Sequence, residues 1–392
     1  MESESIWTRA FALLCLAQFL GYAQHFVLQP TFPLYVTHLG GSPFIVGLVI
    51  ACFGVTNVVS RPAIGYWADR WSETGVLICG LLFQAATIPI CFIPIAEATM
   101  VANGLRGIGW SGLNTGGYTL LASSAPAARR GEASGYYGGV QSGATILFPA
   151  VALWLIDAPF GGFGVVFATA IALAVIGAIV GAMIAPSAAR ANPRPQLDKT
   201  ISWWREILNV LDREILLAAA LLFASHLSLP AISSFLVLYA RDIGITNFGW
   251  FYVVSGVTSL LARPLLGRVS DKIGHGYSVL SGLVMETAAL CLVVMVSSLP
   301  GMTIAGMLYM LGSAIATSTT LALAVEQAKP ERRGRAMASY SVAYPLSNGV
   351  GALICGSAVD WLGYVWMYLI MAGLVALGFV IILANWSRLK RA

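Results

Sequence analysis

The stretch Val58–Arg70, V-V-S-R-P-A-I-G-Y-W-A-D-R, returns about 202 residues later as Leu260–Lys272, L-L-A-R-P-L-L-G-R-V-S-D-K. Both copies place Arg-Pro, then Gly, then Asp followed by a cation at the same spacing. Another pair recurs at nearly the same offset, Arg129-Arg130-Gly131 with Arg332-Arg333-Gly334. The chain therefore consists of two homologous halves. Parallel repeats in a membrane chain predict a two-lobed protein with a binding site where the halves meet.

The composition is that of a chain embedded in lipid. Hydrophobic residues make up 58% and charged residues only 10%, against roughly a quarter charged in soluble domains. Apolar stretches of about 20 residues are long enough to cross a bilayer. Six fit within residues 9–186 and six within residues 214–386, and we number them spans 1 to 12 in chain order: 9–31, 44–67, 75–95, 98–123, 133–156, 163–186, 214–239, 247–267, 277–297, 301–327, 336–359 and 364–386. Backbone groups in hydrocarbon must find partners within their own segment, and these segments are too long for barrel strands. We therefore predict an all-α membrane protein with twelve transmembrane helices in two pseudo-symmetric six-helix bundles.

The basic residues predict the topology. On the twelve-span assignment, Arg241 is alone in a loop on one side and Arg106 is alone deep within a span, while the other twenty of the 22 Lys and Arg gather at the opposite face. Since these residues accumulate on the cytoplasmic side, we expect both termini in the cytoplasm. The net charge of +5 then reflects topology rather than nucleic-acid binding. Short loops without large tails favour a multi-pass protein of the bacterial inner membrane.

The composition of residues 187–213 predicts a segment that links the two halves. The small, polar and Pro-rich segment after residue 186, followed by a tryptophan-containing amphipathic pattern, predicts a cytoplasmic linker with a surface helix at 187–213. This divides the chain into an N-terminal bundle, 1–186, and a C-terminal bundle, 214–392. Metal-ligand clusters, nucleophile elbows and phosphate loops do not occur in workable context. We therefore predict neither an enzyme nor a cofactor.

The repeated motif carries a resemblance to a known family. Two six-helix halves, a cytoplasmic linker and Gly-x-x-x-Asp-Arg between spans 2 and 3 together resemble the major facilitator superfamily. In that family this loop stabilises one conformation of the carrier, which implies a conformational latch here. The matching positions are Gly65, Asp69 and Arg70 in the first half and Gly267, Asp271 and Lys272 in the second.

The resemblance implies a secondary active transporter that moves a small organic solute by alternating access. Similarity to small efflux carriers favours proton-coupled export, that is, antiport. Proton-coupled uptake of an organic anion is the alternative within this class, and a membrane sensor without turnover is an alternative from a different class. The expected partners are a small-molecule substrate, protons and the lipid bilayer, and we expect a monomer.

Polar stripes predict the substrate site. In the family, spans 1, 4, 7 and 10 line the central path, and here polar residues recur on them at helical spacing. The candidates on these spans are Gln18, Tyr22, His25, Gln29, Arg106, Trp110, Asn114, Tyr118, His226, Tyr309, Ser313 and Thr317. Span 11 adds Tyr340, Tyr344 and Asn348. Such stripes also hold helices together by hydrogen bonds, so both interpretations stay open.

Arg106 is the most specific of these candidates. Proton-coupled family members carry an arginine on span 4 four residues before Gly-x-Gly; here Asn103 has that place before Gly107-Ile108-Gly109 and the arginine is Arg106. A cation at mid-bilayer costs about 3 kcal/mol or more, so we expect Arg106 to face the interior and to have a partner, either a substrate anion or fixed polar groups. The residues predicted to take part in proton coupling are His25, Arg106, His226, Glu286 and Glu326.

Overall fold

The computed structural model describes residues 6–126, 129–184, 215–328 and 333–389, with side chains omitted at 263–272, 333–336, 338 and 387–388. The regular structure within these residues is helical throughout. The predicted linker, 187–213, lies outside the described residues. In the first half, span 1 is Arg9–Leu28 with Thr31–His38, span 2 is Pro43–Arg70, span 3 is Glu73–Thr87, span 4 is Ala96–Ser124, span 5 is Arg130–Asp157 and span 6 is Phe163–Ala182. In the second half, span 7 is Leu216–His226 with Leu236–Asp242, span 8 is Gly249–Ile273, span 9 is His275–Met295, span 10 is Leu299–Gln327, span 11 is Arg333–Leu362 and span 12 is Tyr364–Ala384, followed by the short Trp386–Leu389.

The predicted all-α fold with twelve spans is confirmed. Ten helical segments among the described residues are long and apolar enough to cross a membrane. The other two spans are Ala96–Ser124, of 29 residues, and Gly249–Ile273, of 25 residues. They have lower mean hydropathy because the first carries Glu97, Arg106 and two asparagines and the second carries the charged copy of the repeated motif.

Spans 1 and 7 are each interrupted at a proline. Span 1 breaks at Pro30 between Arg9–Leu28 and Thr31–His38. In span 7, Pro230 precedes a turn of π-helix, Ala231–Phe235. Proline lacks the N–H that continues a helix and its ring crowds the preceding turn, which accounts for both interruptions. Each break therefore lies within its span and divides it into two helical segments.

The two halves pack closely at one face of the bundle. Since the number of crossings is even, the described chain ends lie together at what we call the terminal face, and the other is the opposite face. Spans 2 and 11 approach backbone to backbone on the side of the opposite face: a Cβ on Gly54 would lie 2.8 Å from the Pro345 carbonyl oxygen, and one on Gly356 would lie 2.5 Å from that of Pro43. Small residues permit this close crossing.

The halves diverge toward the terminal face. Spans 5 and 8 also touch nearer the opposite face, where a Cβ on Gly256 would lie 2.7 Å from Ile146. At the start of span 5, by contrast, a Cβ on Gly135 or Gly139 would have nothing within 4 Å. Tyr118, near the terminal end of span 4, is 51% exposed. Among the described residues, the close crossings between the halves therefore lie toward the opposite face, and the cavity opens toward the terminal face.

Candidate functional site

A cavity of about 610 Å³ lies between the two halves. Its walls come from spans 1, 2 and 4 of the first half and from spans 7 and 11 of the second. Nine predicted substrate residues line it: Tyr22, His25, Gln29, Arg106, Trp110, Asn114, Tyr118, Tyr344 and Asn348. The stripes on spans 1 and 4 thus converge on one space, together with part of the stripe on span 11.

The other predicted substrate residues lie outside the cavity lining: Gln18, His226, Tyr309, Ser313, Thr317 and Tyr340. Several of them join helices by hydrogen bonds. The hydroxyls of Tyr309 and Ser228 lie 2.9 Å apart, joining spans 10 and 7. Those of Tyr340 and Thr320 also lie 2.9 Å apart, joining spans 11 and 10. His226 lies directly behind the cavity wall, with its ring centroid 5.0 Å from that of Tyr344.

Arg106 is a buried cation with neutral partners. Its side chain is 1% exposed, and Nη1 donates a hydrogen bond to Asn103 Oδ1 at 2.6 Å. Nη2 lies 3.5 Å from both Gln24 Oε1 and His25 Nδ1; because a guanidinium can only donate, both of these atoms act as acceptors. Nε has no hydrogen-bond partner. Among the described side chains, no carboxylate lies within ion-pair distance of Arg106.

Aromatic side chains form the wall beside this cation. The ring of His25 stacks on that of Trp110, with centroids 4.1 Å apart and planes at 27°. Tyr22 packs against Trp110 at 4.7 Å, and its hydroxyl donates a hydrogen bond to Asn114 Oδ1 at 2.8 Å. An apolar wall with few oriented polar groups is typical of a site for a small organic molecule.

Sequence reasoning missed Arg61 as a cavity residue. The twelve-span assignment placed it among the cations of the basic face, but span 2 continues to Arg70, so Arg61 lies nine residues before the end of that helix and lines the cavity. Its Nη1 donates a hydrogen bond to Ser341 Oγ of span 11, at 3.1 Å, across the two halves. The repeated Arg-Pro was the signal that pointed to this position. Asn57, Ser233 and Ser234 are further polar lining residues that sequence reasoning did not select for the site.

The predicted proton-coupling residues occupy three settings. His25 and Arg106 lie in the cavity wall and His226 lies behind it. Glu286 is fully buried in span 9; Oε1 accepts a hydrogen bond from Ser225 at 2.6 Å, and Oε2 has no hydrogen-bond partner. Glu326 lies near the terminal face, where an oxygen is 3.1 Å from Nε2 of His275.

The predicted latch is described in part. The guanidinium of Arg70 lies over the ring of Tyr66, 4.3 Å from its centroid. A Cβ on Gly65 would have nothing within 4 Å. The side chains of Asp271 and Lys272, and any neighbours of Gly267, lie outside the described residues. The latch remains a prediction.

Comparison with known proteins agrees with this architecture. The sequence profile of the Major Facilitator Superfamily matches residues 14–248 and 219–391. The chain is 26% identical over 364 residues to YhhS, an uncharacterized MFS-type transporter of Escherichia coli (strain K12), covering 90% of this chain and 85% of that protein. It is 21% identical over 392 residues to the staphylopine export protein of Staphylococcus aureus (strain Mu50), covering 96% and 95%. A solved bacterial homolog of the human lysosomal transporter Spinster superposes with a TM-score of 0.77 at 13% identity, covering 99% of this chain and 98% of that one.

Proposed function

Because this chain belongs to the major facilitator superfamily, it is a membrane transporter rather than an enzyme, and we propose that it exports a small organic solute by proton-coupled alternating access. The central cavity carries this proposal. It lies between the halves, is closed at the opposite face, and contains in Arg106 a buried cation whose described partners are all neutral. A substrate with an anionic or strongly electronegative group would complete that set of contacts.

The proposed cycle rocks two bundles, 1–186 and 214–392, about the cavity. Breaking the close crossings of spans 2 and 11 and of spans 5 and 8 would open the opposite face, while contacts between the diverging terminal ends would close the other side. A ligand drives such a change only by binding the two conformations with different affinity. Arg106 and the aromatic wall lie in the first half, whereas Tyr344 and Asn348 come from the second, so a bound solute would contact both halves.

The direction rests on topology and on the relatives. The excess of Lys and Arg in the segments at the terminal face supports a cytoplasmic position for that face in the bacterial inner membrane, so the open cavity would receive solute from inside. The name of the staphylopine export protein, similar over 96% of this chain, also favours export. The group proposed to take up the exchanged proton is Glu286, with His25, His226 and Glu326 as the other candidates.

The test is the accumulation of solute in cells. A thermal-shift screen of purified protein against organic acids, siderophore-like compounds and lipophilic cations first identifies a ligand. Its accumulation is then compared in deletion and overexpressing strains, with and without a protonophore. Export predicts lower accumulation on expression and loss of that difference with the protonophore. Higher accumulation on expression would contradict export.

Uptake of an organic anion by proton symport is the second candidate. The cation in the cavity favours it, because a carboxylate substrate would supply the ion pair that Arg106 lacks among the described side chains. The same accumulation experiment separates the two directions. The third candidate, a sensor without turnover, predicts binding of the ligand without flux in reconstituted vesicles.

A further inference from the structure

The cavity contains a second cation. Arg61 and Arg106 both line it, and among the described side chains no Asp or Glu does. Neither arginine is in an ion pair within the described part of the chain. Two guanidinium groups facing one partly enclosed space repel each other and have lost part of their hydration, and a ligand with two negative charges relieves both costs.

We propose that Arg61 and Arg106 together bind a small organic anion with two separated acidic groups, of the dicarboxylate class. This inference rests on the proposed transport function and specifies its substrate. Arg106 is the fixed end of the site. It is held by Asn103 and Gln24, and Asn103 is itself held by a hydrogen bond of 2.8 Å from its Nδ2 to the Val49 carbonyl. Such prior ordering reduces the entropy that binding would otherwise cost.

Arg61 is the accessible end of the site. It is partly exposed, and its hydrogen bond to Ser341 uses one nitrogen, Nη1. A guanidinium has five N–H donors in a planar fork, which leaves donors to bind a carboxylate with two parallel bonds. Its contact with Ser341 also means that a ligand reaching Arg61 lies at the junction of spans 2 and 11.

The distance between the guanidinium groups of Arg61 and Arg106 sets the length of the ligand. The Arg106 guanidinium lies 6.0 Å from the ring of Phe53, and Arg61 follows Phe53 by eight residues on the same helix. Eight residues span about 12 Å of helix, and the flexible Arg61 side chain can shorten or lengthen that separation. The acidic groups must therefore be several bonds apart. The aromatic wall beside Arg106 would contact the chain that joins them.

The experiment measures binding by isothermal titration to the purified full-length protein. The probes are α,ω-dicarboxylates from succinate to sebacate and the monocarboxylates with the same number of carbons. We expect an optimum at intermediate length, where the dicarboxylate binds at least about tenfold more tightly than its monocarboxylate match, as charge-assisted bonds to a second guanidinium provide. If no dicarboxylate binds more tightly than the monocarboxylate with the same number of carbons, the proposal is wrong, and the unmodified protein is enough to show this.

Substitutions of Arg61 and Arg106 then test which arginine binds which acidic group of the ligand. Arg61→Gln should abolish the preference for the dicarboxylate over its monocarboxylate match, whereas Arg61→Lys should retain part of the preference. Arg106→Gln should weaken both ligand classes. Equal losses for both classes in Arg61→Gln protein that retains its elution volume and melting temperature would refute the assignment of Arg61.

The binding and flux measurements distinguish failure of the two-cation site from failure of the transport proposal. Flux of another solute, with no preference for dicarboxylates, would overturn the two-cation site and leave the transport proposal intact. Dicarboxylate binding that depends on Arg61, without flux in proteoliposomes, would support the site and contradict the proposed function.

Discussion

The Asp157 carboxylate lies 2.7 Å from the Arg241 guanidinium and joins the end of span 5 to the end of span 7 at the opposite face. The repeat counterpart of Asp157 is Asp360, at the end of span 11, whose Oδ2 accepts a hydrogen bond of 3.2 Å from the backbone N–H of Phe44, in the first turn of span 2. A carboxylate at a helix N-terminus also interacts favourably with the helix dipole. Each half therefore contributes one aspartate that binds the other half where the cavity is closed.

Asp157→Asn is expected to open the opposite face more often. The pair is exposed, at 39% for Arg241 and 55% for Asp157, so its loss should favour opening by less than about 1 kcal/mol, a shift of up to about fivefold in population. The measurement is the rate at which an impermeant maleimide, added at the opposite face, labels a Gln29→Cys probe in a background without native cysteines. Asp242→Asn makes the same change of charge on a carboxylate outside any ion pair of the described residues. Equal labelling rates in both variants would contradict a role for the pair.

Arg106→Gln is expected to reduce substrate binding by about tenfold or more without lowering the melting temperature. Binding loses a charge-assisted contact, while the fold is relieved of a buried cation that lacks a counter-ion. Arg106→Lys should recover binding only in part, because one ammonium cannot reproduce the planar fork that reaches both Asn103 and Gln24. A ligand-free melting temperature that falls in Arg106→Gln would instead assign the residue a structural role.

Glu286→Gln is expected to leave substrate exchange intact and to abolish its response to a pH gradient. The carboxyl is fully buried and holds one hydrogen bond, from Ser225. An amide preserves its size and most of its contacts but carries no exchangeable charge. The measurement compares counterflow with gradient-driven flux in proteoliposomes. Glu132→Gln is the control, since this carboxylate pairs with Arg129 and is 45% exposed. Gradient-driven flux that persists in Glu286→Gln would remove the residue from the coupling mechanism.

Gly54→Ala is expected to destabilise the conformation closed at the opposite face. The added Cβ would lie 2.8 Å from the Pro345 carbonyl oxygen, backbone that cannot move without separating spans 2 and 11. Overpacking of this kind costs about 1–3 kcal/mol, and faster labelling of the Gln29→Cys probe measures it. Gly135→Ala is the matched control: its Cβ would meet nothing within 4 Å, and alanine is the better helix former. A similar labelling rate in both variants would show that the crossing tolerates a methyl group.

The sequence predicted the fold and the two polar stripes that meet in the cavity. Tyr22 and His25 on span 1 and Trp110 and Asn114 on span 4 follow helical spacing on otherwise apolar segments, so residues that share a stripe must share a face. Both helices turn those faces toward the cavity. This much could be derived because spacing along one helix is a property of the chain alone.

The sequence alone did not decide which faces of the second half reach the cavity. Tyr309 and Tyr340 belong to stripes as regular as those of span 1, yet their hydroxyls join neighbouring helices outside the cavity lining. The sequence analysis placed Arg61 among the cations of the basic face. It lines the cavity instead, because span 2 continues to Arg70. The sequence by itself determined the twelve helices, their duplication and the faces that share polarity. Only the tertiary structure decided how each helix is rotated and how far it extends beside its neighbours, because packing between helices sets both.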